Sequence, residues 1–317
     1  MKAAPITDLQ RVHAQVLFSR ALIATSFTVG AAITHALEPS LLILVRFAIA
    51  TALFAPFVWW RHGLALPSVK ALLGYSAISA SILGFFWCMF AALRHTEALN
   101  AAAIHTLVPG ISAAYAVVLA RERLKRNQLI ALAVGLVGAL WVVFRGDPER
   151  LLALEIGIGD VIFFVGCLSM GLYTPLISRF HRGEPAAVMS FWVLATGTLW
   201  LVLLNNSAIW QTDWARVDTQ VYVAIAYLAV FTTLLTFFIQ QHATVRLGPT
   251  RVAAYNYLTP LLVVAVEYIG GKGLPGASTL VGVLIIVAAT VVVQRGAPDR
   301  KTGSQSKGGK PMTESQH

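Results

Sequence analysis

About ten stretches of predominantly apolar residues recur along this chain, and each is close to twenty residues long. A helix needs roughly 20 such residues to cross about 30 Å of hydrocarbon. The stretches lack the alternation of polar and apolar residues that a transmembrane barrel requires. Backbone polar groups in lipid must be satisfied internally, which leaves helices as the solution. The pattern predicts an all-α integral membrane protein with spans near 13–36, 40–60, 69–93, 99–120, 127–144, 157–179, 186–205, 219–241, 251–270 and 276–294.

The composition excludes an ordinary soluble domain. Hydrophobic residues make up 57% of the chain and charged residues 12%, whereas a typical soluble domain has about 25% charged residues. A chain with so few charges cannot cover its own apolar surface in water. A lipid bilayer is therefore an expected partner of this protein.

The second half of the chain repeats features of the first. Segment 100–109 ends in His105-Thr-Leu-Val-Pro109, and segment 251–260 ends in Asn256-Tyr-Leu-Thr-Pro260. Glu-Pro precedes one apolar stretch in each half, at 38–39 and at 184–185. Five spans per half is an odd number, so the two halves must cross the membrane in opposite orientations. The sequence thus predicts ten transmembrane helices as two inverted five-helix repeats, the architecture of secondary transporters.

The distribution of positive charge predicts the orientation. Most of the 24 Lys and Arg residues fall in segments that are cytoplasmic if the N-terminus is cytoplasmic, which is the positive-inside signature. The net charge of +10 then reflects topology, and no nucleic-acid partner is expected. We expect a cytoplasmic N-terminus at 1–12, repeats at 13–145 and 157–295, an external connection at 146–156 and a disordered cytoplasmic tail at 296–317. The expected location is the cell inner (plasma) membrane.

Several short patterns carry a family resemblance. They are Thr25-Ser26-Phe27 in the first span, Pro39 followed by Arg46-Phe47, Pro109 followed by Arg121-Glu122-Arg123-Leu124, Ser169-Met170-Gly171-Leu172-Tyr173-Thr174, and Pro260. Their order, spacing and duplication resemble the EamA type of the drug/metabolite transporter superfamily over about residues 13 to 295. The chain departs from the family pattern at Ile23-Ala24, where Trp-Gly is frequent, and at Gly273, where Glu is expected.

The resemblance implies ten helices in two inverted repeats around a central cavity. It also implies transport of small metabolites, often outward, and the family includes exporters of amino acids. We therefore expect a permease that exports an amino acid or a related compound by alternating access. A passive facilitator and a multidrug or cation efflux protein of the same fold are the alternatives. The resemblance further implies that Arg46 is a structural charge.

The candidate substrate site is built around the two prolines. A proline inside a helix removes a backbone hydrogen bond and frees a carbonyl one turn earlier. Pro109 is expected to free the carbonyl of His105, and Pro260 that of Asn256, at matching places in the two halves. Polar and aromatic side chains near these positions suit a small amphipathic solute. The expected cavity residues are His105, Asn256, Tyr257, Trp87, Tyr173, Ser26, Thr25, Phe85 and Gln240.

Two residues are candidates for coupling transport to proton movement. Glu267 lies in the ninth span, and burial would favour its protonated form. His105 has an unperturbed pKa near 6.5, in the physiological range. An external gate or simple interfacial exposure is the alternative for Glu267, and helix packing is the alternative for His105.

Enzyme and receptor classes fit this sequence poorly. The eight histidines are scattered and no two stand at metal-ligand spacing in one span. No nucleophile motif or phosphate-binding loop is present, so we expect no catalytic residue, no metal and no cofactor. A membrane receptor would not require an inverted repeat. The sequence specifies a small-molecule substrate but neither its identity nor an oligomeric state.

Overall fold

The computed structural model of this protein describes residues 8–63, 65–96, 101, 104–119, 121, 123–143, 149, 157–270 and 277–296. Throughout these residues the regular structure is helical, with no β-strand, which confirms the predicted all-α class. The first half contains α1 (Asp8–Ile33), α2 (Pro39–His62), α3 (Val69–Ala92), α4 (Val108–Leu119) and α5 (Arg126–Val143).

The second half begins with α6 (Ile158–Phe180) and α7 (Ala186–Leu204). A short helix, Asn206–Gln211, and a 3₁₀ turn, Trp214–Arg216, lead into α8 (Thr219–Leu247), which contains a π-helical segment at Val230–Leu235. The next helix, α9, consists of Pro249–Ala254, a 3₁₀ turn at Tyr255–Leu258 and Thr259–Ile269. The last helix, α10, spans Ala277–Gly296.

Six of these helices are long and apolar enough to cross a membrane. They are α1, α2, α3, α6, α7 and α8, as found among the described residues. Shorter apolar helical segments lie at Val108–Leu119 in α4, Arg126–Trp141 in α5 and Leu284–Val293 in α10. The lengths fit a multi-span membrane protein, and the count of ten membrane crossings remains a prediction.

Local sequence signals place the helix starts. Ser68 caps α3 by accepting a hydrogen bond from the Ala71 backbone N–H (3.3 Å), and Asp218 caps α8 through Gln220 N (2.9 Å). Pro39 opens α2, where its missing N–H costs no hydrogen bond. At the N-terminus, α1 begins at Asp8, five residues before the predicted start of the first span at residue 13. An acidic residue in a first helical turn is stabilised by the helix dipole.

The two repeated prolines start helical segments rather than interrupting continuous helices. Ile104 and His105 are helical, Thr106 and Leu107 form a turn, and α4 begins directly before Pro109. Pro260 likewise stands at the start of Thr259–Ile269, after the 3₁₀ turn of α9. The predicted span 99–120 is therefore broken near its middle, because a proline in the first turn of a helix needs no hydrogen-bond partner.

Pairs of helices pack closely across the two halves. The closest pairs are α3 with α6, α5 with α10, α2 with α7, and α4 with both α6 and the first part of α9. The first helix packs on α8 and on the second part of α9. Small residues allow such close approach in lipid, where the hydrophobic effect does not drive association. A methyl group added at Gly166 of α6 would lie 2.7 Å from the Cys88 Cβ atom of α3.

The α3–α6 contact predicts a specific loss of stability. We expect Gly166→Ala to destabilise the protein by about 1–3 kcal/mol, because an added methyl group in a packed interface forces neighbouring atoms to move. Gly110→Ala is the control, since nothing lies within 4 Å of that position, and it should be neutral or slightly stabilising. Thermal unfolding of purified protein in detergent measures both. Equal stability of the two variants would contradict the packing described here.

Candidate functional site

A cavity lies inside the bundle between α1, α3, α6 and α8. It is small: the volume open to the centre of a water molecule is about 20 Å³, which is room for about one water. The walls are mostly apolar, with a few polar groups directed inward. The lining residues are Ile23, Ser26, Phe27, Ile82, Phe85, Phe86, Met89, His105, Met170, Thr232, Thr236, Phe237 and Gln240.

His105 lies in an aromatic cluster at one end of this cavity. Its side chain is buried, and its ring centroid is 5.7 Å from those of Phe27 and Phe85 and 6.4 Å from that of Phe163. The Nδ1 atom has no hydrogen-bond partner among the residues that the structure describes. The aromatic rings therefore hold the imidazole in place while leaving a buried polar atom available to a solute.

Arg20, in the middle of α1, is a fully buried cation that binds two amide side chains. Its Nη1 atom donates a hydrogen bond to the Asn256 side-chain oxygen of α9, and its Nη2 atom donates to Gln240 Oε1 of α8 (2.8 Å). The Nε atom has no partner in the described part of the chain. One guanidinium thus links α1, α8 and α9. This link lies beside the cavity, because Gln240 also lines it.

Arg46, in α2, is a second buried cation. It donates hydrogen bonds to the Thr233 hydroxyl, to the Thr232 hydroxyl (2.8 Å) and to the Thr232 carbonyl (3.0 Å). Its guanidinium carbon lies 4.1 Å from the centre of the Phe86 ring, within the range of a cation–π interaction. Both threonines belong to the π-helical segment of α8. Arg46 therefore fastens α2 to the irregular part of α8, a structural role of the kind that the family resemblance implies.

Neither Arg20 nor Arg46 forms an ion pair with an acidic side chain of the described residues. The recorded ion pairs lie elsewhere, at Arg94–Glu38 (3.7 Å), His181–Glu184 (3.9 Å) and Arg216–Asp213 (2.9 Å). A buried charge without an opposite charge costs several kcal/mol. The surroundings of the cavity therefore carry an excess of positive charge held only by neutral groups.

Four of the nine expected cavity residues line the cavity directly: His105, Ser26, Phe85 and Gln240. Two others lie just behind this wall. Asn256 binds Arg20, and the buried Tyr173 has its ring centroid 5.8 Å from that of the lining residue Phe237. These six residues come from α1, α3, α6, α8, α9 and the segment before α4, so the fold brings distant parts of the chain together.

The remaining expected cavity residues point elsewhere. Thr25 hydrogen-bonds to the Leu22 carbonyl (2.7 Å) and to the Tyr227 hydroxyl (2.8 Å). Tyr257 donates to the Leu132 carbonyl of α5 (2.6 Å). Trp87 is 49% exposed on the outer surface of α3, because it follows two phenylalanines that already face inward.

Pro109, Pro260 and Glu267 were also predicted to belong to the site. Pro109 is buried at the start of α4. The side chains of Pro260 and Glu267 lie outside the described residues, so their expected roles stay predictions. Arg20 was not among the expected cavity residues. The signal for it was its position inside an apolar stretch, where ionisable residues usually face a cavity or a partner.

A wider groove lies between α1, α9 and α10. The volume open to the centre of a water molecule is about 480 Å³, but its walls are mostly leucines and valines with few polar groups. Its polar members include His13 and Tyr255, which hydrogen-bond to each other (2.7 Å). The central cavity is the better candidate site despite its smaller size, because it is lined by His105, whose Nδ1 atom has no partner among the described residues, and by Gln240, which binds Arg20.

Comparison with known proteins gives one family. The EamA-like transporter family matches residues 13–144 and 157–295 of this chain. The two matched segments follow the two halves that the repeated sequence features define.

Individual relatives agree with this match. The chain is 24% identical to the uncharacterized transporter YyaM of Bacillus subtilis, over 76% of this chain and 80% of the relative. It is 25% identical to an uncharacterized transporter of Archaeoglobus fulgidus, over 80% and 86% of the two chains. A WAT1-related protein of Arabidopsis thaliana is 20% identical, over 80% and 73%. A crystal structure with 18% identity shares the fold, with a TM-score of 0.65 over 88% of this chain and 96% of its own.

The Arg46 contacts predict the effect of removing one hydroxyl. We expect Thr233→Val to destabilise the protein by about 1–3 kcal/mol, because it leaves a buried guanidinium N–H without an acceptor. Thr244→Val in the same helix is the control, since that buried hydroxyl has no partner among the described residues and its loss should be neutral or stabilising. Thermal unfolding in detergent compares them, and a larger loss for Thr244→Val would rule out this role of Thr233.

Proposed function

The chain belongs to the EamA-like transporter family, and from this premise we propose that it is a secondary transporter that moves a small metabolite through the central cavity. The observation that carries the proposal is the cavity itself. It lies between helices of both halves, and two buried polar side chains line it: His105, whose Nδ1 atom has no hydrogen-bond partner among the described residues, and Gln240, which binds the buried Arg20. A bilayer-embedded bundle gains nothing from such groups unless they meet a polar solute.

We further propose that the two halves are inverted repeats. Helix contacts support this arrangement. If each helix of one half is exchanged with the helix five places away in the other half, each of the following contacts maps onto another observed contact or onto itself. The pair α3–α6 becomes α8–α1, and α4–α6 becomes α9–α1, while α2–α7, α5–α10 and α4–α9 are unchanged. Such an exchange is expected of two similar units related by a two-fold axis in the membrane plane.

The transport mechanism in this proposal is alternating access. Irregular helix geometry supports it, because the breaks before Pro109 and at Tyr255–Leu258 and the π-helical segment of α8 all adjoin the cavity or the groups that bind Arg20. Broken helices at the membrane midplane are typical of transporter sites. In this scheme the small cavity is one state of the bundle, and the site widens in another state that admits the solute.

The proposed orientation and direction follow from charge and family. The excess of Lys and Arg in alternate connections supports cytoplasmic N- and C-termini in the plasma membrane. The proposed substrate is an amino acid or a related compound, and the proposed direction is export. A solute or ion gradient supplies the energy in this scheme. His105 is the proposed site of proton coupling, and Glu267 would be a second one.

Reconstitution tests the proposal. Liposomes loaded with a mixture of radiolabelled amino acids should lose label faster with the protein than without it. His105→Ala should lower the rate about tenfold or more, equivalent to losing about 1.4 kcal/mol of interaction with the solute. Trp200→Ala is the control, because this side chain is 46% exposed on α7, and it should transport like the wild type. Immunoblots of the liposomes confirm equal insertion.

The same assay separates coupled from passive transport. A coupled exporter should lose label faster when the external medium is acidified, while a passive facilitator should not respond. Equal rates for His105→Ala and the wild type would move the substrate site away from this cavity. If liposomes with the protein lose label no faster than protein-free liposomes, the proposal that the protein transports amino acids is contradicted.

A further inference from the structure

Arg20 is a buried cation, and no acidic side chain of the described residues balances its charge. Its side chain has no measurable exposure, and the two groups that it binds, Asn256 and Gln240, are neutral amides. Its Nε–H also lacks a partner in the part of the chain that is described. Amide oxygens satisfy hydrogen bonds but offset little of the cost of burying a full charge. This position therefore favours any anion that reaches it.

The acidic side chains that the structure describes do not supply that anion. Among them Asp160, in α6, is the buried one. Both carboxylate oxygens of Asp160 are occupied, by the Thr96 hydroxyl (2.7 Å) and the Gly157 N–H (3.0 Å).

The central cavity gives an anionic solute access to Arg20. Gln240 lines the cavity and also accepts a hydrogen bond from the guanidinium, so a single side chain separates the cation from the solute space. Arg46 adds a second positive charge at the same cavity, since its contacts Thr232 and Phe86 are lining residues as well. In a medium of low dielectric constant these two charges attract an anion and repel a cation over several ångströms.

We propose that the solute carried by this cavity is a carboxylate-bearing metabolite whose carboxylate binds Arg20. The carboxylate takes up guanidinium N–H groups that are now unpaired or bound to Gln240 and Asn256, in the bidentate geometry that arginine favours. The apolar remainder of the solute packs on the aromatic wall formed by Phe27, Phe85 and Phe237. This inference rests on the proposed transport function and narrows it, because it excludes organic cations as substrates.

A carboxylate placed on the protein itself can supply the missing negative charge, so this inference can be tested without a known substrate. Gln240→Glu places a carboxylate on the atom that already accepts from Arg20, with almost no change in shape. We expect the unfolding midpoint of the purified full-length protein to rise by about 2–4 °C. Gln241→Glu is the matched control, because Gln241 is fully buried next to it and has no hydrogen bond to Arg20. Its midpoint should fall.

A set of probes with one shared ring tests the preference for anions. The probes are 3-phenylpropionate, which carries only a carboxylate, and 2-phenylethylamine, which carries only an ammonium group. The carboxylate should raise the unfolding midpoint of the wild type and the amine should not, because a ligand stabilises only the state that it binds. Gln240→Glu should abolish the response to 3-phenylpropionate, since its own carboxylate then occupies the guanidinium.

The outcomes separate this inference from the transport proposal. A lower midpoint for Gln240→Glu, comparable to that of Gln241→Glu, overturns the anion site, as does a wild type that responds to the amine or fails to respond to the carboxylate. If the anion site fails in these tests but liposomes with the protein still lose label faster than liposomes without it, the transport proposal stands. If the anion site behaves as expected while liposomes with and without protein lose label equally, transport fails and the site remains.

Discussion

The hydrogen bonds of Arg20 to Asn256 and Gln240 are the interaction on which the centre of this bundle depends. In lipid the apolar side chains of neighbouring helices gain little by touching one another, since acyl chains are equally apolar. A buried cation is different, because it must keep its partners or pay for desolvation. Arg20 therefore fixes α1, α8 and α9 relative to each other. Arg46 does the same for α2 and the π-helical segment of α8.

Irregular backbone occurs where these polar contacts need it. The π-helical segment Val230–Leu235 presents both the hydroxyl and the carbonyl of Thr232 to Arg46. The 3₁₀ turn Tyr255–Leu258 contains Asn256, which accepts from Arg20. A regular helix keeps its carbonyls within its own hydrogen-bond ladder, so departures from regular geometry give side chains and carbonyls to other partners. Irregular backbone thus lies in α8 and α9, which supply the partners of the two arginines, while α1, α3 and α6 line the same cavity as regular helices.

The helices were predictable from the sequence because length and hydrophobicity define them directly. The orientation of each helix about its own axis was less so. In a soluble protein the polar face of a helix shows which side is exposed to water. In lipid both faces of a helix are apolar. The sequence therefore does not distinguish Trp87, on the surface of α3, from Phe85, two residues earlier and at the cavity. Polar residues carry the missing information. His105, Ser26 and Gln240 were expected at the cavity and lie there, and the same reasoning applied to Arg20 identifies the buried cation that Gln240 and Asn256 bind.

The small size of the cavity and the unpaired charge have one physical explanation. A solute shifts a protein between conformations only if it binds them with different affinities. In the present conformation Arg20 is held by Gln240, which lines the cavity, and by Asn256 behind it. A carboxylate that takes over these hydrogen bonds releases Gln240 and Asn256, which belong to α8 and α9, and so weakens the links that hold both helices to α1. Binding of the solute and movement of the helices then draw on the same hydrogen bonds.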